Sequence, residues 1–293
     1  MYDESQEVWE PAGPDLVRIF EQIPAAVGVP GVHQLWRRLA NYPAFLTSAW
    51  PGVAASLRST DLEDCAARLR AGAFIVEAVG MPSHKAFRGD LVRAEIGADL
   101  REKIEHFNDL SQASLSRLVV VAVAARHPRG GEQGAASQRG DTVNSQAGSR
   151  GLSVDAVYVP PLRDGEAVGK TRELLERVER EHVLPFLDDY YRSLARIPDF
   201  LSAAWNAIRP VVGDPFYLDR AAELLRMAGE TASELPAGAA AATALEAMDA
   251  GQAQLVRETL DLYAQQVLPQ TLIDVTLIKA LTSGPQHATT LAP

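Results

Sequence analysis

Apolar residues recur along this chain at helical spacing. Leu16, Ile19, Phe20 and Ile23 form one stripe, and Leu174, Leu175 and Val178 form another. Pro24 or Pro30 is predicted to stop the first helix. Pro43 and Pro198 divide what would otherwise be long helices, and each opens an apolar segment that ends in Trp. The β-branched run Val119-Val120-Val121 lies between helix formers, from Leu115 to Ala125, and reads as a buried helix. No segment alternates convincingly between apolar and polar residues, so the predicted fold class is all-α.

The pattern occurs twice. Residues 35–50 read LWRRLANYPAFLTSAW and residues 190–205 read YYRSLARIPDFLSAAW. At constant offset Arg37, Leu39, Pro43, Phe45 and Trp50 return as Arg192, Leu194, Pro198, Phe200 and Trp205. A looser echo joins Arg101 to Phe107 with Arg257 to Tyr263. Repeats of this length predict two pseudo-symmetric helical units, 14–126 and 154–284, packed face to face with a pocket between them. The intervening 127–153, rich in Gly, Ser, Gln and Arg, is expected to be a flexible linker.

Composition narrows the function. A formal charge of −10 over 293 residues disfavours nucleic acid and anionic lipid as partners. Cys65 is the single cysteine and lies in an acidic helical stretch, which rules out an internal disulfide and disfavours a reactive thiolate. The longest apolar run is too short to span a bilayer, and Met1 to Pro14 is acidic and lacks the order of a signal peptide. A soluble, cytoplasmic protein acting on a small molecule is expected.

Polar residues on apolar helices mark the candidate site. Asn108 and Ser111 lead into the helix that carries Arg117, and Asp188-Asp189-Tyr190-Tyr191-Arg192 opens the second signature segment. One of the two aspartates is expected to cap that helix, which leaves the other available for a site. Asp274 and Lys279 interrupt a very apolar helix, and such an acid must find a partner. Glu179 and His182 have the spacing of a di-iron motif without the further ligands, so a solvated helical face is the expectation, with no metal and no cofactor. No phosphate loop, nucleophile elbow or paired cysteines occur.

The repeated Arg-x-Leu-Ala-x-x-Pro-x-Phe-Leu pattern, with Val29-Pro30, Phe107-Asn108 and Ile273-Asp274-Val275-Thr276 in order, resembles the group I 2-haloacid dehalogenases. That resemblance implies an all-helical enzyme of two fused repeats, in which water displaces halide directly. The family's water-activating aspartate falls on Tyr190, with Asp189 one residue earlier, and its asparagine falls on Ser111. Two aromatic pocket positions become Gly31 and Gln34. Tyrosine, with a pKa of about 10, is a poor base at neutral pH. A substrate that brings its own amine has no need of water activation, and relatives that close an aziridine by expelling sulfate give a precedent. In that reading Tyr190, Ser111 and Asn108 orient the substrate and Asp189 holds its amine. Arg192, Arg117 or His33 meets the departing anion, and Gln34, Trp36, Tyr191 and Asp274 complete the substrate contacts. Two alternatives are a hydrolytic dehalogenase relying on Asp189, and a silent subunit paired with an active chain of the same fold. A homodimer, or a heteromer with a related chain, is the expected assembly.

Overall fold

A computed structural model describes residues 7–75, 80–126, 158–163, 165–182 and 184–291. The predicted linker, 127–153, lies outside the described residues. Those described are helical, with no strand among them. The first copy comprises α1 (Pro14–Val27), α2 (Gln34–Leu39), α3 (Pro43–Leu57), α4 (Thr60–Gly72), α5 (His84–Arg93) and α6 (Ala98–Arg126). The second comprises α7 (Gly169–Glu181), α8 (Asp189–Leu194), α9 (Pro198–Ile208), α10 (Pro215–Ala232), α11 (Pro236–Glu246), α12 (Ala250–Leu262) and α13 (Leu268–Ser283).

Proline punctuates these helices where its ring costs least. Pro43 and Pro198 sit in the first turns of α3 and α9, where the missing N–H would have had no intrahelical partner. Pro24 is different, because α1 runs through it and stops instead at Gly28, whose left-handed φ of 82° closes the helix. The apolar stripe continues past Pro24 to the buried Val27, which holds the last turn in place. A π-helical turn, Tyr263–Val267, joins α12 to α13 just ahead of Pro269. Proline there leaves a carbonyl one turn back without its usual donor, and the wider turn takes up the mismatch.

The two copies share one core. The apolar end of α6, from Leu118 to Ala125, is buried and packs along α13, itself buried over nearly its whole length. This confirms a helix for Val119 to Val121. Against α3 lies the alanine-rich α11. A Cβ placed on Gly52 would lie 2.4 Å from Ala240 Cβ and 2.8 Å from Pro236 O, so this close approach requires glycine. Cys65 is buried within the same core. No helix among the described residues is long and apolar enough to cross a membrane.

Candidate functional site

The starts of α2 and α8 meet, and the residues capping them bond to one another. His33 caps α2 by accepting the Leu35 N–H on Nδ1 at 3.1 Å, and Asp188 caps α8 by accepting the Tyr190 N–H at 3.0 Å. His33 Nε2 lies 2.9 Å from Asp188 Oδ2, across 155 residues of sequence. An Nδ1 that accepts a backbone N–H places the ring proton on Nε2, an assignment made from the hydrogen bonds. Burial lowers the His33 pKa, but the Asp188 carboxylate outweighs it and the balance is upward. Proton uptake would still set Nδ1–H against Leu35 N–H, so the observed geometry belongs to the neutral ring.

Asp189, the first residue of α8, is clamped from the other copy. The Gln34 N–H donates to its Oδ2 at 2.8 Å, and Arg37 donates to both oxygens, at 3.0 and 2.7 Å. Burial alone would raise the Asp189 pKa, yet the Arg37 guanidinium holds it below the usual carboxylate range. Behind this pair Glu7 accepts from Arg37 Nη2 and Arg192 Nη1, both at 2.7 Å, and from Gln34 Nε2 at 2.9 Å. The Trp9 ring covers Arg37 at 3.8 Å. Two arginines related by the repeat thus share two carboxylates in a buried, charge-balanced cluster.

Beside it lies a cavity of about 60 Å³. Ile23, Val27, Leu115 and Leu118 form much of its apolar wall, and its polar groups include those of His33, Ser111, Ser114, Tyr158, Asp188, Asp189, Tyr190 and Ser193. Both copies therefore contribute to it, and among the described residues no Lys or Arg lies on the wall. Tyr190 stacks on Phe107 at 5.6 Å and donates its hydroxyl to Asn108 Oδ1 at 2.8 Å. Burial, with Asp274 adding to it, pushes the Tyr190 pKa well above 10, so the phenol keeps its proton. Trp36 also lines the cavity, and its buried indole N–H has no partner among the described residues.

Of the residues singled out from sequence, the structure brings His33, Trp36, Ser111, Asp189 and Tyr190 onto one wall. The others stand apart from it. Asn108 backs Tyr190, and Gln34 meets Asp189 and Glu7. Tyr191 packs edge-on to His182 and Trp205. Arg192 faces Glu7 and the Leu162 carbonyl. Arg117 is held by Glu63 and the Val27 carbonyl, too fully engaged to meet a departing anion. Asp274 accepts from Tyr217 at 2.9 Å and lies 2.9 Å from His182 Nε2. His182 is accordingly buried, not on a solvated face: α7 ends at Glu181, and the backbone turn at His182 points its ring inward. No group of three metal-ligating side chains occurs among the described residues.

Sequence reasoning missed Glu7 and Tyr158, and it read Asp188 only as a cap. The signal for Glu7 was the repeated Arg37 and Arg192, two cations on facing helices that require buried anions. Tyr158 explains Gly31. A Cβ on residue 31 would lie 2.0 Å from the Tyr158 hydroxyl, so the phenol occupies the space that a side chain at 31 would take.

The all-α arrangement of these helices defines the class of fold. It is the fold of the D-2-haloacid dehalogenases: a mutant of such an enzyme superposes with a TM-score of 0.74 at 20% identity, over 94% of this chain and 97% of that one. The D-2-haloacid dehalogenase complex with L-LA matches equally, and a mutant complex with D-2-CPA matches at 19% identity and the same TM-score. In sequence the chain is similar to the (R)-2-haloacid dehalogenase of Pseudomonas putida, 24% identical over 208 residues, which is 70% of this chain and 68% of that protein. No family model matches the chain.

Proposed function

We propose that this chain belongs with the 2-haloacid dehalogenases and displaces a leaving group from a saturated carbon, the nucleophile being an amine of the substrate itself. The observation that carries the reading is the cavity wall, which presents Asp188 and Asp189 and, among the described residues, no Lys or Arg. Such a wall suits an ammonium or amine better than the anion of a simple haloacid.

Water activation has weak support from these side chains. Arg37 holds Asp189 ionised and weakly basic, Tyr190 keeps its proton, and both His33 nitrogens are engaged. Amine attack asks less of the protein. The nitrogen lone pair forms the N–C bond, the C–X bond breaks, and X departs with the bonding pair as halide or sulfate. The ring nitrogen then loses a proton to solvent. Asp189 holds the amine in line, and the Trp36 N–H, without a partner among the described residues, is a donor available to the departing anion.

Hydrolysis is favoured by a separate observation, the similarity to 2-haloacid dehalogenases in sequence and fold. Ion chromatography of released halide and sulfate separates the two readings. Release from amino-alkyl halides or sulfate esters with a cyclic product is expected. Halide release from 2-haloacids with a hydroxy acid product would replace amine attack by hydrolysis. Silence with both sets, followed by activity on adding a related chain, would identify a subunit of a heteromer.

A further inference from the structure

A second cavity of about 400 Å³ adjoins the first, and the two share Val32, Tyr158 and Pro161 in their walls. Their charges are opposite. The inner wall carries two aspartates and, among the described residues, no Lys or Arg. The outer wall carries Arg37, Arg163 and Arg196, with no acidic side chain among the described residues. Arg37 is already paired with Asp189 and Glu7. Arg196 shares Glu166 at 3.1 Å, and among the described residues Arg163 has a carboxylate no nearer than Glu10, at 3.9 Å. Arg163 thus keeps the most unspent charge on this wall, with Trp9 and Phe20 offering apolar faces beside it.

Size and charge together indicate how a substrate lies. The inner cavity has room for a reacting end only, whereas the outer one can hold the rest of a larger molecule. We propose that the outer cavity binds the anionic end of a dipolar substrate whose amine lies in the inner cavity, the molecule passing the ring of Tyr158. This rests on the amine reading of the inner cavity and adds the class of substrate: an amine and a carboxylate or similar anion separated by a short apolar span.

Calorimetric titration with three series of linear probes tests it: ω-amino acids, alkylamines and alkylcarboxylates, each of increasing chain length. At one favoured length the amino acid should bind more tightly than the matched alkylamine, by up to about fivefold for each engaged arginine. The advantage should fall with added salt, because these guanidinium groups are partly exposed. In the Arg163→Ala chain the gap between the two series should shrink; with half of the Arg163 side chain in solvent, the substitution leaves the core untouched. Amino acids binding no better than alkylamines at every length would overturn the proposal. Alkylamines failing to bind, while alkylcarboxylates bind in an Arg163-dependent way, would overturn the amine reading and leave the anion site standing.

Discussion

Replacing Arg37 by Met tests the buried charge cluster, since it removes the cation from two buried carboxylates while keeping most of the side-chain volume. Breaking one side of a buried ion pair costs about 3–5 kcal/mol. The lower end applies, because Arg192 still donates to Glu7 at 2.7 Å and stands 3.9 Å from Asp189. At roughly 2 °C per kcal/mol for a chain of this size, the midpoint of thermal unfolding should fall by about 6 °C at neutral pH. The pH dependence carries the sharper test. In the parent, Asp189 is held below the usual carboxylate range, so its contribution is present above its unfolded pKa and is lost as pH falls through the folded one. In the variant burial acts on Asp189 with less opposition, and the gap between the two proteins should therefore be widest at neutral pH and narrow on acidification. Adding Asp189→Asn to Arg37→Met should recover part of the loss. Thermal melts from about pH 8 to about pH 2 measure this. An Arg37→Met protein as stable as the parent at neutral pH, or a gap independent of pH, would refute the account of the cluster.

Further predictions follow from other contacts. Gly31→Ala places a methyl where the Tyr158 hydroxyl lies, so the ring must leave. Burial now holds Tyr158 at about 12, and spectrophotometric titration should show one tyrosine returning towards its ordinary value; an unchanged titration would mean the ring had stayed. Asp274→Ala strands the buried His182 Nε2, at a cost of about 1–3 kcal/mol readable by denaturant unfolding, while Tyr217 keeps the Gln270 carbonyl at 3.2 Å as acceptor. In the amine reading turnover should rise with pH towards the pKa of the substrate amine, with no step from Asp189 between about pH 5 and pH 8, since that carboxylate stays ionised throughout. A step in that range would show a protein group titrating in the reaction.

Much of the fold was legible because the determinants were local and repeated. The proline-started helices, the buried valine run and the offset between copies are properties of periodicity, and periodicity survives without knowledge of contacts. The site was legible only in part. The meeting of His33 with Asp188 and of Arg37 with Asp189 depends on how the copies face each other, which no local pattern records. Glu7 was hidden for another reason: a single acid in an acidic N-terminal stretch resembles solvated chain until the two arginines it joins are seen side by side. His182 shows the converse error. Its spacing to Glu179 suggested one helical face, but the helix ends between them and the ring turns inward.

The resemblance aligns the family's acid with Tyr190, and the chain carries its acid one residue earlier. Along a helix one residue is a rotation of about 100°, so the two positions cannot present a carboxylate to the same point. The structure gives that rotation a consequence. Position 189 points to Arg37 and the start of α2, while position 190 points to Asn108 and stacks on Phe107. An acid at 189 is therefore stabilised as an anion, whereas an acid at 190 would be buried without a cation and would have a raised pKa, as a general base requires. Tyr190→Asp should accordingly confer halide release from 2-chloropropionate, with Asn108 positioned to support the new carboxylate and the space vacated by the ring left for water and substrate. Asp189→Asn in the same background should affect stability more than this new activity. Loss of the gained activity on Asp189→Asn, with stability unchanged, would return the role of base to Asp189 and reverse the assignment of the two positions.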